Sequence, residues 1–145
     1  IMANFQWERL LMALGAVGAM KRLLEVAVDY AKEREAFGRP IGRFQAIRHK
    51  IAEISIKAAV AESITLNALR LFHHGHDATR EVTQAKLYSQ RAAVEVADEV
   101  IQIHGGYGYM KEYGVERAYR DARLGPIGGG TDEVMKEILS KQLGL

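Results

Sequence analysis

Glu8 and Arg9, an acid followed by a base at the head of an apolar helical stripe, are the first residues whose types could do chemistry. A fixed guanidinium beside a carboxylate favours its ionised form, and an ionised carboxylate can accept a proton. The ordinary alternative is an acid placed in the first turn of a helix, where the dipole favours it. Trp7 adds an apolar neighbour, which acts in the opposite direction. Glycine clusters come next: Gly38 in REAFGRPIGRFQ, Gly105–Gly106 in QIHGGYG and Gly128–Gly130 in IGGGTDEV. The last feeds a helix N-terminus, a place that offers free backbone amides to an anion. It lacks the Lys-Ser/Thr of a Walker loop and the preceding strand of a dinucleotide fingerprint. Each cluster alone reads as helix punctuation, but three in so small a protein exceed what punctuation requires. His73, His74 and His76 read as a solvated helix end, because adjacent residues point in different directions and metal ligands need a shared face. His49, between Arg48 and Lys50, reads as surface, whereas His104 abuts a glycine turn. No Ser/His/Asp arrangement, zinc-helix motif or calcium loop is present.

These residues must be positioned by helices. Leu10, Leu14, Val17, Met20, Leu24, Ala27, Val28 and Ala31 recur at three- and four-residue steps, the mark of an amphipathic helix. Gly38 and Pro40 are expected to end it. A second helix is expected from about Phe44 to His74, with Gly75 as its stop. The third is expected over Glu81 to Ile103, with Ala85, Tyr88, Ala92, Val96, Val100 and Ile103 facing in. A short helix follows near Val115 to Arg123, and the last starts at Thr131, a capping residue. No segment alternates like a strand. Matched helices of roughly 35–45 Å joined by short links predict an all-α, up-down four-helix bundle with an additional short helix.

The 145 residues suffice for one domain, and 48% of them are apolar. No apolar run approaches a membrane span. The absence of cysteine excludes disulfides, thiolate metal sites and a cysteine nucleophile. A formal charge of +2 is too small an excess to point to nucleic acid. The opening IMANFQWERL has no basic segment leading into an apolar one, so it does not read as a signal peptide.

Read in order, ERLLMALGAVG, REAFGRPIGRFQ, QIHGGYGYMKEYGVERAYRDAR and IGGGTDEVMKEIL resemble the C-terminal helical domain of the acyl-CoA dehydrogenase family nearly end to end. The resemblance implies a flavoprotein with FAD as cofactor that oxidises a fatty or branched acyl-CoA to its trans-2-enoyl product. In that chemistry a carboxylate removes the α-proton while a hydride leaves the β-carbon for the flavin. Many members carry the base in the loop before the last helix, as Ile-Tyr-Glu-Gly-Thr. Here the loop reads Ile127, Gly128, Gly129, Gly130, Thr131, so the glutamate position is Gly129. The long-chain and isovaleryl members are similar in lacking it and supply the base from the first helix of this domain. Glu8 falls on that position and is expected to be the catalytic base.

By the same resemblance Arg9 matches the arginine beside the base, and Gln6, Trp7, Arg9 and Gly130 are expected to line the substrate end. Arg34, Ala36, Phe44 and Gln45 match contacts to FAD, typically that of a neighbouring subunit. Gln102, Ile103, His104, Gly105 and Gly106 match another flavin-contacting segment. Thr131, Asp132 and Glu133 match the adenine-dinucleotide contact. Two acids are poor company for a pyrophosphate, so contacts there are expected through backbone or sugar. The resemblance further implies an electron-transfer flavoprotein as acceptor and a homo-oligomer, dimer or tetramer. It implies no metal, no nucleic-acid or membrane partner, and a cytoplasmic location in bacteria or the mitochondrial matrix in eukaryotes. Residues 1–145 would then be one domain of three, without the N-terminal helical and middle β domains. An acyl-CoA oxidase shares the architecture, and a helical module that only self-associates is the alternative for the chain by itself.

Overall fold

The computed structural model describes residues 2–145, with side chains from Phe5 onward. Three long helices dominate: α1 (Met2–Glu33), α2 (Gln45–His73) and α3 (Thr79–His104). At 1.5 Å per residue they reach about 48, 44 and 39 Å. Short links make successive helices antiparallel, so α1 and α3 run side by side in the same direction. Gln6 reaches Thr79 at one end of this pair, and Tyr30 reaches the His104 carbonyl at the other. After α3 come a single turn, α4 (Gly106–Tyr109), then α5 (Val115–Arg123) and α6 (Asp132–Gln142). Both α5 and α6 pack on α3. The expected all-α bundle is therefore present, with α6 as its fourth helix and α5 as the additional short one.

Lys21–Glu62 ties α1 to α2, while Lys50–Glu99 and Lys57–Glu95 tie α2 to α3. Exposed pairs of this kind contribute about 0–1 kcal/mol each, so apolar packing holds the bundle. That packing is rich in alanine: Ala13, Ala16, Ala27 and Ala31 on α1, and Ala85, Ala92, Ala93 and Ala97 on α3, are all buried. Small side chains let two helix backbones approach closely. Leu14, Leu24 and Val28, expected on the core stripe, are consequently displaced to its half-buried flanks, and Tyr88 lies exposed beside it.

One expectation about the connections is corrected. α1 ends at Glu33, and Gly38 does not stop it but turns a hairpin of β1 (Glu35–Ala36) and β2 (Arg39–Pro40). Phe37 (φ 54°) and Gly38 (φ 78°) are both left-handed, as a two-residue type I′ turn requires. Strands of two residues are too short to show alternation in a sequence.

Candidate functional site at the head of the first helix

Consecutive helix residues point about 100° apart, and this separates Glu8 from Arg9. Arg9 turns inward and is 9% exposed, and its Nε donates to the Gly129 carbonyl at 3.0 Å. Glu8 stays exposed. The expected acid–base pair is thus not formed: the guanidinium is spent on the glycine loop, and Glu8 enters no ion pair among the described residues. The face that carries Glu8 continues one turn later to Met12. A Cβ on Gly129 would lie 2.6 Å from Met12 Sδ, and Gly129 itself is left-handed at φ 66°. Gly130, at φ 102°, is equally closed to a side chain, which would meet Met135 Cε at 2.6 Å. Met12 and Met135 therefore fill the space that a side chain on this loop would need and would have to give way to one, and Glu8 is the acid that α1 carries on the Met12 face.

Lys86 reaches the same loop from α3. Its side chain is fully buried, and its ammonium donates to the Gly130 carbonyl. Burial lowers its proton affinity below the ordinary lysine value, the Asp132 carboxylate acts in the opposite sense, and Arg9 reinforces the lowering. Sequence periodicity missed Lys86, because a lysine inside an apolar stripe reads as an interruption; its place directly after Ala85 on the core face was the available signal. Thr131 caps α6 as expected, its Oγ1 accepting from the Val134 amide at 3.3 Å. Asp132 faces Arg91 at 3.7 Å through Oδ2, while its buried Oδ1 has no partner among the described residues. Glu133 is exposed, and hydrogen bonds to its own amide and to Thr131 hold its carboxyl below the usual range.

Gln6 and Trp7 are used elsewhere. Gln6 donates to Thr79 Oγ1 at 2.5 Å, and Trp7 stacks on Phe72 at 5.9 Å, so both pack against the corner between α2 and α3. The structure brings Arg9, Gly129, Gly130 and Glu8's face together; Gln6, one turn before Arg9, is taken up by Thr79, and Trp7 is turned toward Phe72.

The remaining candidates gather at the other end of the bundle, about five turns or roughly 27 Å along α3 from Lys86. There His104 is buried, stacked on Tyr30 at 3.9 Å, with Nδ1 2.8 Å from the Val100 carbonyl. Burial lowers its proton affinity, partly opposed by that carbonyl. Tyr30, Arg34, Ile103, Gly105, Gly106 and Tyr107 line a cleft, with the Arg34 guanidinium over the Tyr107 ring at 5.0 Å. Ala36 lies in the hairpin, and Phe44, which opens α2, meets Phe37 edge-on at 6.0 Å and carries the Arg39 guanidinium over its ring at 4.3 Å. Gln45 is exposed beside His49, and Gln102 is exposed near the end of α3. His73, His74 and His76 are exposed, and no group of three metal-ligating side chains exists among the described residues.

Comparison with known proteins places this architecture. The sequence model described as "Acyl-CoA dehydrogenase, C-terminal domain" matches residues 1–144. The chain is 44% identical over 135 residues to the probable acyl-CoA dehydrogenase YngJ of Bacillus subtilis, covering 93% of this chain and 36% of that protein. It is 36% identical over 143 residues to the mitochondrial long-chain specific acyl-CoA dehydrogenase of Mus musculus, covering 99% of this chain and 33% of that one. The crystal structure of a probable acyl-CoA dehydrogenase from Mycobacterium abscessus superposes with a TM-score of 0.97 at 44% identity, over 99% of this chain and 38% of that one. The chain belongs to the acyl-CoA dehydrogenase family and corresponds to its C-terminal helical domain. It spans about a third of the length of the relatives it matches.

Proposed function

We propose that the chain is the C-terminal part of a FAD-dependent acyl-CoA dehydrogenase in which Glu8 takes the α-proton of the acyl-CoA. The observation that carries the reading is the meeting of α1 with the glycine loop. Arg9 Nε holds the Gly129 carbonyl at 3.0 Å, Met12 fills the space of any Gly129 side chain, and Glu8 is presented one turn away on Met12's face. A carboxylate so placed accepts the α-proton as the double bond forms, and the β-hydride departs with its electron pair. When bound, FAD supplies the acceptor for that hydride. Arg9 supports the step by fixing α1 against the loop, which keeps Glu8 at a constant distance from Gly130 and the substrate end.

The residues present suit FAD at both ends of the bundle. The cleft at the end of α3 offers a guanidinium, two aromatic faces and the uncovered backbone of Gly105 and Gly106, a donor set matched to an anionic dinucleotide. At the loop end the orphaned Asp132 Oδ1 wants a donor, which a sugar hydroxyl provides and a phosphate does not. The separation of the two ends along α3 accords with each chain serving its own flavin through Thr131, Asp132 and Glu133 and a neighbour's through Arg34, Ala36, Phe44, Gln45 and the Gln102–Gly106 segment. A homo-oligomer, dimer or tetramer, is thus part of the proposal, as is electron-transfer flavoprotein as acceptor.

The test is Glu8→Gln in the complete flavoenzyme, assayed on fatty and branched acyl-CoA with an artificial electron acceptor. Loss of the general base should lower kcat by about 10²–10⁴-fold. Retention of most of the activity refutes the assignment.

A further inference from the structure

Lys86 is the least expected residue of the interior. A buried ammonium carries a desolvation cost of several kcal/mol, of order, before its partners repay it. Methionine would fill the same space without that cost. What the charged head adds is a grip: it donates to the Gly130 carbonyl, and Asp132 of α6 is the acid that offsets its charge, while Arg9 of α1 opposes it. Arg9 and Lys86 thereby take two consecutive carbonyls, those of Gly129 and Gly130, from two different helices. Both glycines sit in left-handed backbone that neither helix could impose by packing alone, since neither has a side chain to pack.

From this double grip we propose that Lys86 is a positioning residue for the Glu8 base: together with Arg9 it clamps the left-handed Gly129–Gly130 turn against α1 and so fixes the substrate end relative to the Glu8 carboxylate. Lys86 is fully buried and touches no substrate; it acts through the loop. Arg9 holds only the Gly129 carbonyl, and the Asp132 amide closes the loop on the Pro126 carbonyl at 3.0 Å; between these two points Lys86 is the side chain that fixes the Gly130 peptide. Clamping both carbonyls restricts the loop to the one shape in which it meets Met12 and Arg9. A misplacement of order 1 Å at this point is enough to cost roughly 10²-fold in rate.

The inference rests on Glu8 being the base, so the experiment carries both variants. In the complete flavoenzyme, Lys86→Met keeps the side-chain length and removes the donor. It should lower kcat by about 10–100-fold while KM for acyl-CoA changes less than about threefold. Amide hydrogen exchange in the loop between Pro126 and Thr131 should accelerate by at least about tenfold, with α2 unchanged. A kcat near wild type, unchanged exchange in that loop, or a raised KM at constant kcat overturns the role. Lys86→Gln, too short to reach the Gly130 carbonyl, gives the same readings if the methionine variant does not fold: a folded glutamine variant with wild-type kcat and wild-type loop exchange equally overturns it. Glu8→Gln is measured in parallel. If it stays active, the reading of Glu8 has failed; if it is inactive while the Lys86 variants behave as wild type, only the clamp has failed.

Discussion

Gly129 is closed to side chains for two separable reasons, and a pair of substitutions measures each. Gly129→Ala puts a Cβ on left-handed backbone at φ 66°, a strain of about 1–2 kcal/mol. It also brings that Cβ to 2.6 Å from Met12 Sδ. Overpacking of this kind costs about 1–3 kcal/mol, and a flexible thioether keeps it at the low end. The sum is about 2–3 kcal/mol, which for a chain of this length is a fall in Tm of roughly 6–12 °C. Chemical denaturation and thermal melts of Gly129→Ala, Met12→Ala and the double variant separate the two causes. Truncating Met12 removes the clash and leaves the strain, so the double variant should be more stable than the sum of the single costs by about 1 kcal/mol. The reasoning is refuted if Gly129→Ala changes stability by less than about 0.5 kcal/mol, or if the two costs add within about 0.3 kcal/mol. The same geometry bears on moving the base. Gly129→Glu combined with Glu8→Gly requires a left-handed glutamate and a displaced Met12 before any chemistry begins.

Two further expectations concern the helix ends. Thr131→Ala removes the oxygen that accepts from the Val134 amide and should cost about 1 kcal/mol in denaturation, while a change within about 0.2 kcal/mol would show the cap to be idle. Burial lowers the proton affinity of His104, partly opposed by its bond to the Val100 carbonyl, so its folded-state value lies below the ordinary one of about 6.5. As pH falls through that value the unfolded chain takes up the proton first; stability is full above about pH 6.5 and is lost toward the lowered value. His104→Phe retains the stack on Tyr30 and should lose less stability than the wild type between about pH 7.5 and 5.5. An equal loss in both would mean that other groups set the acid dependence.

The bundle was legible in the sequence because three- and four-residue periodicity is a strong signal over helices this long. The short helix expected near Val115 to Arg123 is present there, and the Thr131 cap lies where its hydroxyl marks the start of α6. Which residues form the closest contact was less legible. The stripe rightly included Ala27 and Ala31, but it took Leu14, Leu24 and Val28 where the tight α1–α3 approach buries Ala13 and Ala16. The hairpin at Phe37–Gly38 escaped for a related reason: its strands are shorter than the period that would reveal them.

At the site, types and spacing singled out Glu8, Arg9 and the glycine loop as candidates, but not how they meet. Adjacent in sequence, Glu8 and Arg9 read as a pair; on a helix they diverge, and Arg9 finds its partner in the Gly129 carbonyl some 120 positions away. Lys86 was hidden by the opposite rule, because lysine is almost never fully buried unless paired and a sequence does not show a backbone carbonyl as a partner. The two cations share a property that side-chain motifs cannot display: both bind main chain that has no side chain of its own. A glycine loop lacking the expected glutamate therefore looks empty in sequence, yet in the fold it is gripped from α1 and α3 and flanked by Met12 and Met135. That constraint is what the proposed base on α1 would require, since a carboxylate on one element and a substrate end on another stay in register only if the two are locked together.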